Sequence, residues 1–175
     1  MRNALLEVGL NDIWTSHNET NVNKNWFKNH IKNTLNDIFL QKWYALLDSN
    51  SLYINYRLFK KCFTQEIYLK LLPHNCIIAL ARFRTTNNKL PVNTLRFEQI
   101  DRNDRVCTKC QLQEIGDEFH YIFTCPYYKD KRQELLPRLL IYKPNVLKFY
   151  NLMNTNDKKL LFKLKIFVNH VNSTM

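Results

Sequence analysis

The sequence has 175 residues, enough for one domain or one and a half, and 45% hydrophobic and 13% aromatic residues are enough for a core. The net charge of +11 favours a polyanionic partner over an acidic small-molecule substrate, although a basic solvated surface with no partner explains it equally well. With only two glycines, Gly9 and Gly116, the chain cannot form glycine-rich phosphate-binding loops or a G-x-S-x-G nucleophile elbow.

Targeting and membrane signals are not expected. Residues 1–10 contain too short an apolar run for a signal peptide, and no window approaches the roughly 18 apolar residues of a membrane span. The sequence therefore predicts an intracellular protein, nuclear or cytoplasmic, that is neither secreted nor bound to a membrane. Few glycines and prolines also favour helices, because tight hairpins need more turn residues.

The first predicted element is a long amphipathic helix at residues 26–47. Its apolar residues repeat every four positions, and three more widen the stripe to a face expected to pack on a core: Phe27, Ile31, Leu35, Phe39 and Trp43, with Ile38, Leu46 and Leu47. Residues 51–63 fit a short strand or a helical turn, and that choice stays open.

Two further helices are predicted before residue 85. Residues 64–72 indicate one helix, and Pro73 suits the first position of the next, which runs to Arg84. Cys62 and Cys76 have no second soft ligand at metal spacing, so both are expected to be small buried hydrophobic residues. Residues 85–106 are poor in periodic signal and rich in turn formers, which predicts a basic connector.

Four soft ligands follow at zinc spacing. Two residues separate Cys107 from Cys110, nine separate Cys110 from His120, and four separate His120 from Cys125. A tetrahedral ion with four protein ligands has no position for an activated water, which indicates a structural zinc ion rather than a hydrolytic centre. Ordinary thiols and a helix-face histidine are the alternative, and a disulfide is disfavoured because five cysteines cannot all pair within one chain.

The residues around the metal ligands suggest local roles. Asp117 and Glu118 can stabilise the positive end of a helix, and this explanation is preferred to a catalytic pair because adjacent helical residues point about 100° apart. Pro126 suits the start of the next helix. Its inward positions are Tyr128, Leu135 and Leu136, and its outward positions are Lys129, Lys131 and Arg132.

Basic groups near the metal turn predict a phosphate-contacting surface, with solvated loop charges as the alternative. That surface comprises Arg102, Arg105, Lys109, Lys129, Lys131 and Arg132. Tyr121, Tyr127 and Tyr128 lie in the same stretch and can stack on unpaired bases if they are exposed.

Two helices are predicted at the end of the chain, at residues 144–153 and 157–171. The second carries an apolar stripe of Leu160, Leu164, Phe167, Val168 and Val171. The fold class is therefore mostly α: an irregular helical domain with a small Cys-Cys-His-Cys zinc-stapled turn. Its predicted parts are a helical N-terminal part (1–84), the connector (85–104), a zinc-binding module (105–136) and C-terminal helices (137–175), together one compact unit.

These features resemble the zinc-binding region that follows the polymerase in reverse transcriptases of non-LTR (LINE-like) retrotransposons. The similar residues span about 40–140: Arg105-x-Cys107-x-x-Cys110, Gly116-Asp-Glu-x-His120, Cys125-Pro126, Arg132, Leu80-x-Arg82-x-Arg84, Leu90-Pro91, and Leu52-Tyr53 with Tyr56.

The resemblance implies a module that helps such an enzyme to grip RNA or DNA, with Zn²⁺ as its cofactor. The polymerase's own Ala-Asp-Asp-type turn has no counterpart, because the sequence contains no Asp-Asp pair. We therefore expect a non-catalytic protein that binds nucleic acid and has no small-molecule substrate. A module that docks on a polymerase core through residues 26–47, or a retroelement remnant without function, remain alternatives.

Overall fold

A computed structural model describes residue 6, residues 9–11 and residues 23–175 of the chain. The contacts between residues divide the chain into two compact units, Met1–Ser49 and Asn50–Met175. The sequence instead suggests boundaries after residues 84, 104 and 136. In the described part of the chain, none of the helices has both the length and the apolar character needed to cross a membrane.

The N-terminal unit contains helix α1, Lys24–Ser49, which confirms the long helix predicted at residues 26–47. Asn23 precedes the helix, and its side-chain oxygen accepts hydrogen bonds from the backbone N–H groups of Asn25 and Trp26. These are contacts of the N-cap type, which satisfy donors that the first helical turn leaves free. The start of α1 is therefore set by a single asparagine.

The apolar stripe of α1 does not form the core-facing side that was expected. Leu47 is buried, but Leu35, Phe39 and Leu46 are exposed. An α-helix has 3.6 residues per turn, so a spacing of four residues advances by about 40° at each step and by about 160° over four steps. A stripe with strict four-residue spacing therefore winds around the helix and cannot stay on one side.

The C-terminal unit is built from short helices and confirms the mostly α fold. Its α-helices are α2 (Tyr56–Phe59), α3 (Tyr68–Leu71), α4 (His74–Arg84), α5 (Pro91–Thr94), α6 (Lys129–Leu135), α7 (Arg138–Ile141), α8 (Val146–Met153) and α9 (Lys158–Thr174). Single turns of 3₁₀-helix lie at Ser51–Tyr53, Leu95–Glu98, Arg102–Asp104 and Pro126–Tyr128, and a π-helix at His120–Thr124. Among the described residues there is no strand, only an isolated antiparallel bridge between Val106 and Ile115.

Helix α9 supplies much of the core of this unit and packs against α3, α4 and α6. Leu164, Phe167, Val168 and Val171 of its predicted stripe are buried, as is Leu161. Asp157 caps the helix by accepting hydrogen bonds from the N–H groups of Lys159 and Leu160. A second part of the core is aromatic: the ring of Phe149 on α8 meets those of Phe59, Phe119 and Phe123 edge to face.

Residues 64–72 are helical only in their second half, because α3 is the single turn Tyr68–Leu71. Glu66, just before this turn, forms an ion pair with the buried Arg84 at the end of α4. The Arg84 guanidinium also lies 4.4 Å from the ring centroid of Phe59 and 4.9 Å from that of Tyr68. These contacts fix the chain ahead of α3 in a non-helical path.

The start of α4 lies within one residue of its predicted position, since Pro73 is the N-cap residue and His74 begins the helix. Cys76 on this helix is buried, as expected. Cys62 is exposed, so its expected burial is wrong. It lies in the irregular segment between α2 and α3, where no helix face turns it inward.

The segment predicted as a connector at residues 85–104 is folded into the unit. It contains α5 and two 3₁₀ turns, and Leu90 and Val92 are buried. The N–H of Val92 donates to the carbonyl of Gly116, 3.2 Å away. A Cβ atom at Gly116 would lie 2.9 Å from Cγ of Pro91, so this contact requires glycine. The segment thus packs directly on the chain that carries the predicted metal ligands.

Candidate metal centre

The two cysteines of the first ligand pair lie in a loop that a short ladder closes at its base. The N–H of Cys107 donates to the carbonyl of Glu114 at 2.8 Å, and the N–H of Gly116 donates to the carbonyl of Arg105, also at 2.8 Å. Within the loop, the N–H of Lys109 lies 3.4 Å from Sγ of Cys107. The two-residue gap therefore folds back and brings the sulfurs of Cys107 and Cys110 together.

The second ligand pair lies on the helical segment that follows. The Asp117 carboxylate accepts a hydrogen bond from the N–H of His120 at 2.9 Å, as expected of a residue at a helix start. The π-helix His120–Thr124 ends where the N–H of Cys125 donates to the carbonyl of His120 at 2.9 Å. This i to i+5 pattern places His120 and Cys125 on the same side of the segment.

The four predicted ligands converge on one point. Their ligand atoms all lie within 4.8 Å of one another. Sγ of Cys107 is 3.8 Å from Sγ of Cys125, and Sγ of Cys110 is 3.4 Å from Nε2 of His120. A tetrahedral ion with bonds of about 2.0–2.3 Å has ligand separations of about 3.3–3.8 Å. Cys107, Cys110, His120 and Cys125 can therefore hold a metal ion, as the sequence predicts.

The imidazole of His120 is oriented by contacts on the side away from the sulfurs. Its Nδ1 lies 2.8 Å from the Glu114 carboxylate and 2.9 Å from the Thr124 hydroxyl, which itself donates to Glu114 at 2.9 Å. The hydrogen bond from His120, together with that from Thr124, lowers the pKa of Glu114. With Nδ1 donating to this carboxylate, Nε2 carries the free lone pair that a metal ion needs.

The sulfurs lie in an apolar pocket. Cys107 and Cys125 are buried, and the Tyr121 hydroxyl lies 3.3 Å from Sγ of Cys107. Burial raises the pKa of the Cys125 thiol to about 12 and also raises that of Cys110. A cation bonded to the sulfurs has the opposite effect, because it stabilises the thiolate directly.

Arg132 was expected to point outward, but it is buried beneath the metal centre. Its guanidinium donates to the carbonyl of Ile122 at 2.6 Å and to that of Cys125 at 2.7 Å. Tyr128, Arg132 and Leu135 lie four and seven residues apart and so share the inward face. Burial lowers the pKa of Arg132. Its hydrogen bonds tie α6 to the segment that carries two of the ligands.

Other members of the predicted phosphate-contacting surface also have internal partners. Arg102 forms an ion pair with Asp117 at 3.3 Å, and Arg105 donates to the carbonyls of Ile100 and Val92 at 2.8 and 2.9 Å. Lys131 pairs with Glu134 on the same helix. Lys109 is half-buried, and Lys129 is exposed. The predicted residues are thus close in the chain, but they do not form one open basic surface.

A cluster that the sequence did not reveal surrounds Glu118. Its carboxylate is buried and accepts hydrogen bonds from the side-chain amides of Asn55, Asn88 and Asn93 at 2.7, 3.1 and 3.1 Å. Burial raises the pKa of Glu118, and the hydrogen bond from Asn55 opposes that rise. Glu118 therefore anchors α5 and the chain before α2, whereas Asp117 alone caps the helix.

An open cleft of about 430 Å³ lies beside the metal centre. The π-helix and the 3₁₀ turn after it contribute Thr124 and Pro126, and the next two helices contribute Lys129 and Arg138. Tyr142 closes the far side and is 60% exposed. This cleft brings two exposed cations and an accessible aromatic ring next to the ligand-bearing segment.

Comparison with protein-family models, with curated proteins and with solved structures finds no match.

Proposed function

We propose that the chain is a zinc-stapled module that binds nucleic acid without catalysing a reaction, similar in role to the region after the polymerase of non-LTR reverse transcriptases. Three cysteine sulfurs and one imidazole, with ligand atoms within 4.8 Å of one another, suit zinc better than metals that prefer oxygen ligands. Four protein ligands complete the coordination shell. Because such a shell leaves no position for an activated water, the ion's role is to stabilise the fold.

The observation that supports nucleic-acid binding is the cleft beside the metal centre. Lys129 and Arg138 line it and are exposed, and neither forms an ion pair within the described part of the chain. Their donors are free to contact phosphate oxygens. In this proposal they replace Arg102, Arg105 and Arg132, whose donors bind internal acceptors.

Exposed tyrosines favour unpaired bases as the ligand. Tyr127 and Tyr142 are 57% and 60% exposed, whereas Tyr121 and Tyr128 are buried. Nζ of Lys143 lies 5.5 Å from the centroid of the Tyr142 ring. A base stacked on an exposed aromatic ring contributes about 1–3 kcal/mol, and duplex bases are already stacked on each other. We therefore expect single strands to bind more tightly than duplex.

The test is a salt titration with labelled single-stranded RNA, single-stranded DNA and duplex DNA. Lys129→Ala/Arg138→Ala should weaken binding to every sequence and reduce the slope of log K against log salt by about 1.4 for single strands, or about 1.8 for duplex. Lys158→Ala/Lys159→Ala is the matched control. It removes the same charge from exposed positions at the start of α9, outside the cleft lining.

Comparing the affinity losses of the two double variants distinguishes a defined binding surface from nonspecific electrostatic attraction. Equal losses of affinity in both double variants would mean that only net charge matters, and no binding at low salt would refute the proposal. A third variant, Tyr142→Ala, should weaken single-strand binding without changing the salt slope, because stacking releases no counterions.

A second candidate function is docking on a reverse transcriptase core, and α1 favours it. Trp26, Leu35 and Leu46 on this helix are each 52% exposed. Mixing the chain with a purified non-LTR polymerase core and measuring co-elution tests this. Leu35→Ala/Leu46→Ala should abolish co-elution if α1 is the docking element, because eleven residues place these two side chains on nearly the same side of the helix.

A further inference from the structure

A second groove in the C-terminal unit lies between α4 and α9 and shares no residue with the cleft. Its volume is about 530 Å³. The α4 side of the groove is one helix face, because its residues are spaced by three, four and seven positions: Asn75, Ile78, Ala79 and Arg82. Asn169 and Asn172 of α9 form the opposite side. This α4 face spans about 10 Å, long enough for a base, a sugar and a phosphate side by side.

The lining of this groove is rich in side-chain amides. Asn75, Asn87, Asn88, Asn169 and Asn172 all contribute to it, and none of the described residues that line it is acidic. The Asn88 amide is hydrogen-bonded within the protein, and each of the others has two N–H donors and one carbonyl acceptor in a plane. This combination matches the edge of a nucleobase, and asparagine pairs with adenine through two hydrogen bonds at once.

Two positively charged side chains line the groove. Arg82 and Lys89 are exposed, and neither has an ion-pair partner within the described part of the chain. The lack of a partner distinguishes them from Arg84 and Arg102, which form ion pairs with Glu66 and Asp117. A groove with two free cations and no carboxylate favours a ligand that carries negative charge as well as a hydrogen-bonding edge.

The loop that completes the groove is held in place. Asn88 donates to the Phe83 carbonyl and to Glu118, both at 3.1 Å, and its oxygen accepts from the N–H of Leu90 at 3.0 Å. These bonds fix Asn87 and Lys89 on either side of it. Across the groove, the side-chain oxygen of Asn172 is buried and has no hydrogen-bond partner among the residues that the structure describes.

We infer that this groove binds a nucleoside monophosphate unit, with the base against the asparagine amides and the phosphate at Arg82 and Lys89. The unit is either a free nucleotide or one residue of a single-stranded RNA or DNA. In the second case the inference rests on the proposed function. Duplex is disfavoured because its bases are stacked inside the double helix and cannot enter the groove singly. An acidic peptide would satisfy the two cations, but it offers no planar base edge to the amides.

The free-nucleotide arm is an NMR titration of the full zinc-loaded chain, followed through the side-chain amide signals of asparagine. AMP should shift the signals of Asn75, Asn87 and Asn169, and inorganic phosphate alone should shift them much less. Asn169→Ala should weaken AMP binding by about 5- to 150-fold if it makes a paired contact with the base. An acidic peptide that shifts the same signals as strongly as AMP overturns the assignment.

The experiment on strands measures, by fluorescence anisotropy, the affinity of the chain for a labelled single-stranded oligoadenylate and for its duplex. Arg82→Ala/Lys89→Ala should weaken single-strand binding and reduce the salt slope by about 0.7 for each phosphate group that these side chains neutralise. Both side chains are exposed, so the variant is expected to fold, and Lys158→Ala/Lys159→Ala is again the charge-matched control.

The two arms distinguish the outcomes. If AMP shifts the amide signals and Arg82→Ala/Lys89→Ala leaves the oligonucleotide affinity unchanged, the result supports a free-nucleotide site. If Arg82→Ala/Lys89→Ala lowers the affinity for AMP and for the single-stranded oligonucleotide, the result supports a site for a residue within a strand. No AMP shifts, together with an oligonucleotide affinity that only the Lys129→Ala/Arg138→Ala variant lowers, refute this inference and leave the proposed function standing. Absence of any oligonucleotide binding refutes the proposed function alone if AMP still shifts the amide signals.

Discussion

Arg132 shows how a charged residue can serve the fold rather than a partner. Its guanidinium has several donors in a fixed plane, and two of them reach the carbonyls that end the ligand-bearing helical segment. Those carbonyls are close to Cys125, so the position of one metal ligand depends on a side chain that does not touch the metal. The same residue illustrates why charge in a sequence does not establish exposure.

Replacing Arg132 by methionine should destabilise the C-terminal unit by about 2–6 kcal/mol, because it leaves two buried acceptors without a donor and each costs about 1–3 kcal/mol. Chemical denaturation of the zinc-loaded protein measures this. Lys131→Ala is the neighbouring control. It removes a surface ion pair with Glu134, which is worth about 0–1 kcal/mol. A stable Arg132→Met protein that has lost nucleic-acid affinity would instead restore Arg132 as a phosphate contact.

The ligand assignment makes a second prediction at the residue scale. One zinc ion should copurify with each chain, and Cys110→Ser should release it, because removal of one of four ligands opens the coordination shell. Cys62→Ser is the control, since Cys62 is exposed and outside the four-residue cluster. The measurement is the zinc content per chain of each purified variant. Full zinc content in Cys110→Ser would refute the assignment.

At the scale of elements, a helix or a site was predictable when the residues that determine it lie close together in the sequence. Helices α8 and α9 were predictable because their apolar spacing and their N-cap residues, Asn145 and Asp157, belong to the element or adjoin it directly. The metal ligands were predictable for the same reason, since all four lie within 19 consecutive residues. One-turn helices such as α2 and α5 are too short to show a period, and only packing defines them.

The residues that the sequence did not identify depend on contacts between distant elements. Glu118 meets Asn55, 63 positions earlier, and Asn88, 30 positions earlier. The groove between α4 and α9 combines Asn75 with Asn169. Asparagine is usually interpreted as a turn or loop residue, so nothing in the local pattern marks the five amides of the groove as a common surface. Their grouping is a property of the tertiary fold.

At the scale of the whole molecule, the metal-bearing segment is part of the main core of the C-terminal unit. Tyr121, Ile122 and Tyr128 are buried in the same cluster as Phe149 and Phe167. The hydroxyl groups of Tyr128 and of Thr174, at the end of α9, are hydrogen-bonded at 2.6 Å. From the sequence, one expects zinc removal to disorder residues 105–132 while much of the remaining helical structure survives. The shared core instead favours a cooperative response.

Zinc removal should therefore expose α4 and α9 to solvent together with the metal turn. A structural zinc site contributes about 10–16 kcal/mol of apparent binding free energy at neutral pH. A whole domain is stable by about 5–15 kcal/mol, so loss of the ion is comparable to or larger than the net stability. Hydrogen exchange read out by mass spectrometry, before and after chelation, should show peptides from residues 105–132 and from α9 losing protection at the same chelator concentration. Restored protection after zinc is added back is the control for irreversible damage. Continued protection of α9 with full exchange at 105–132 would show that the metal turn unfolds alone.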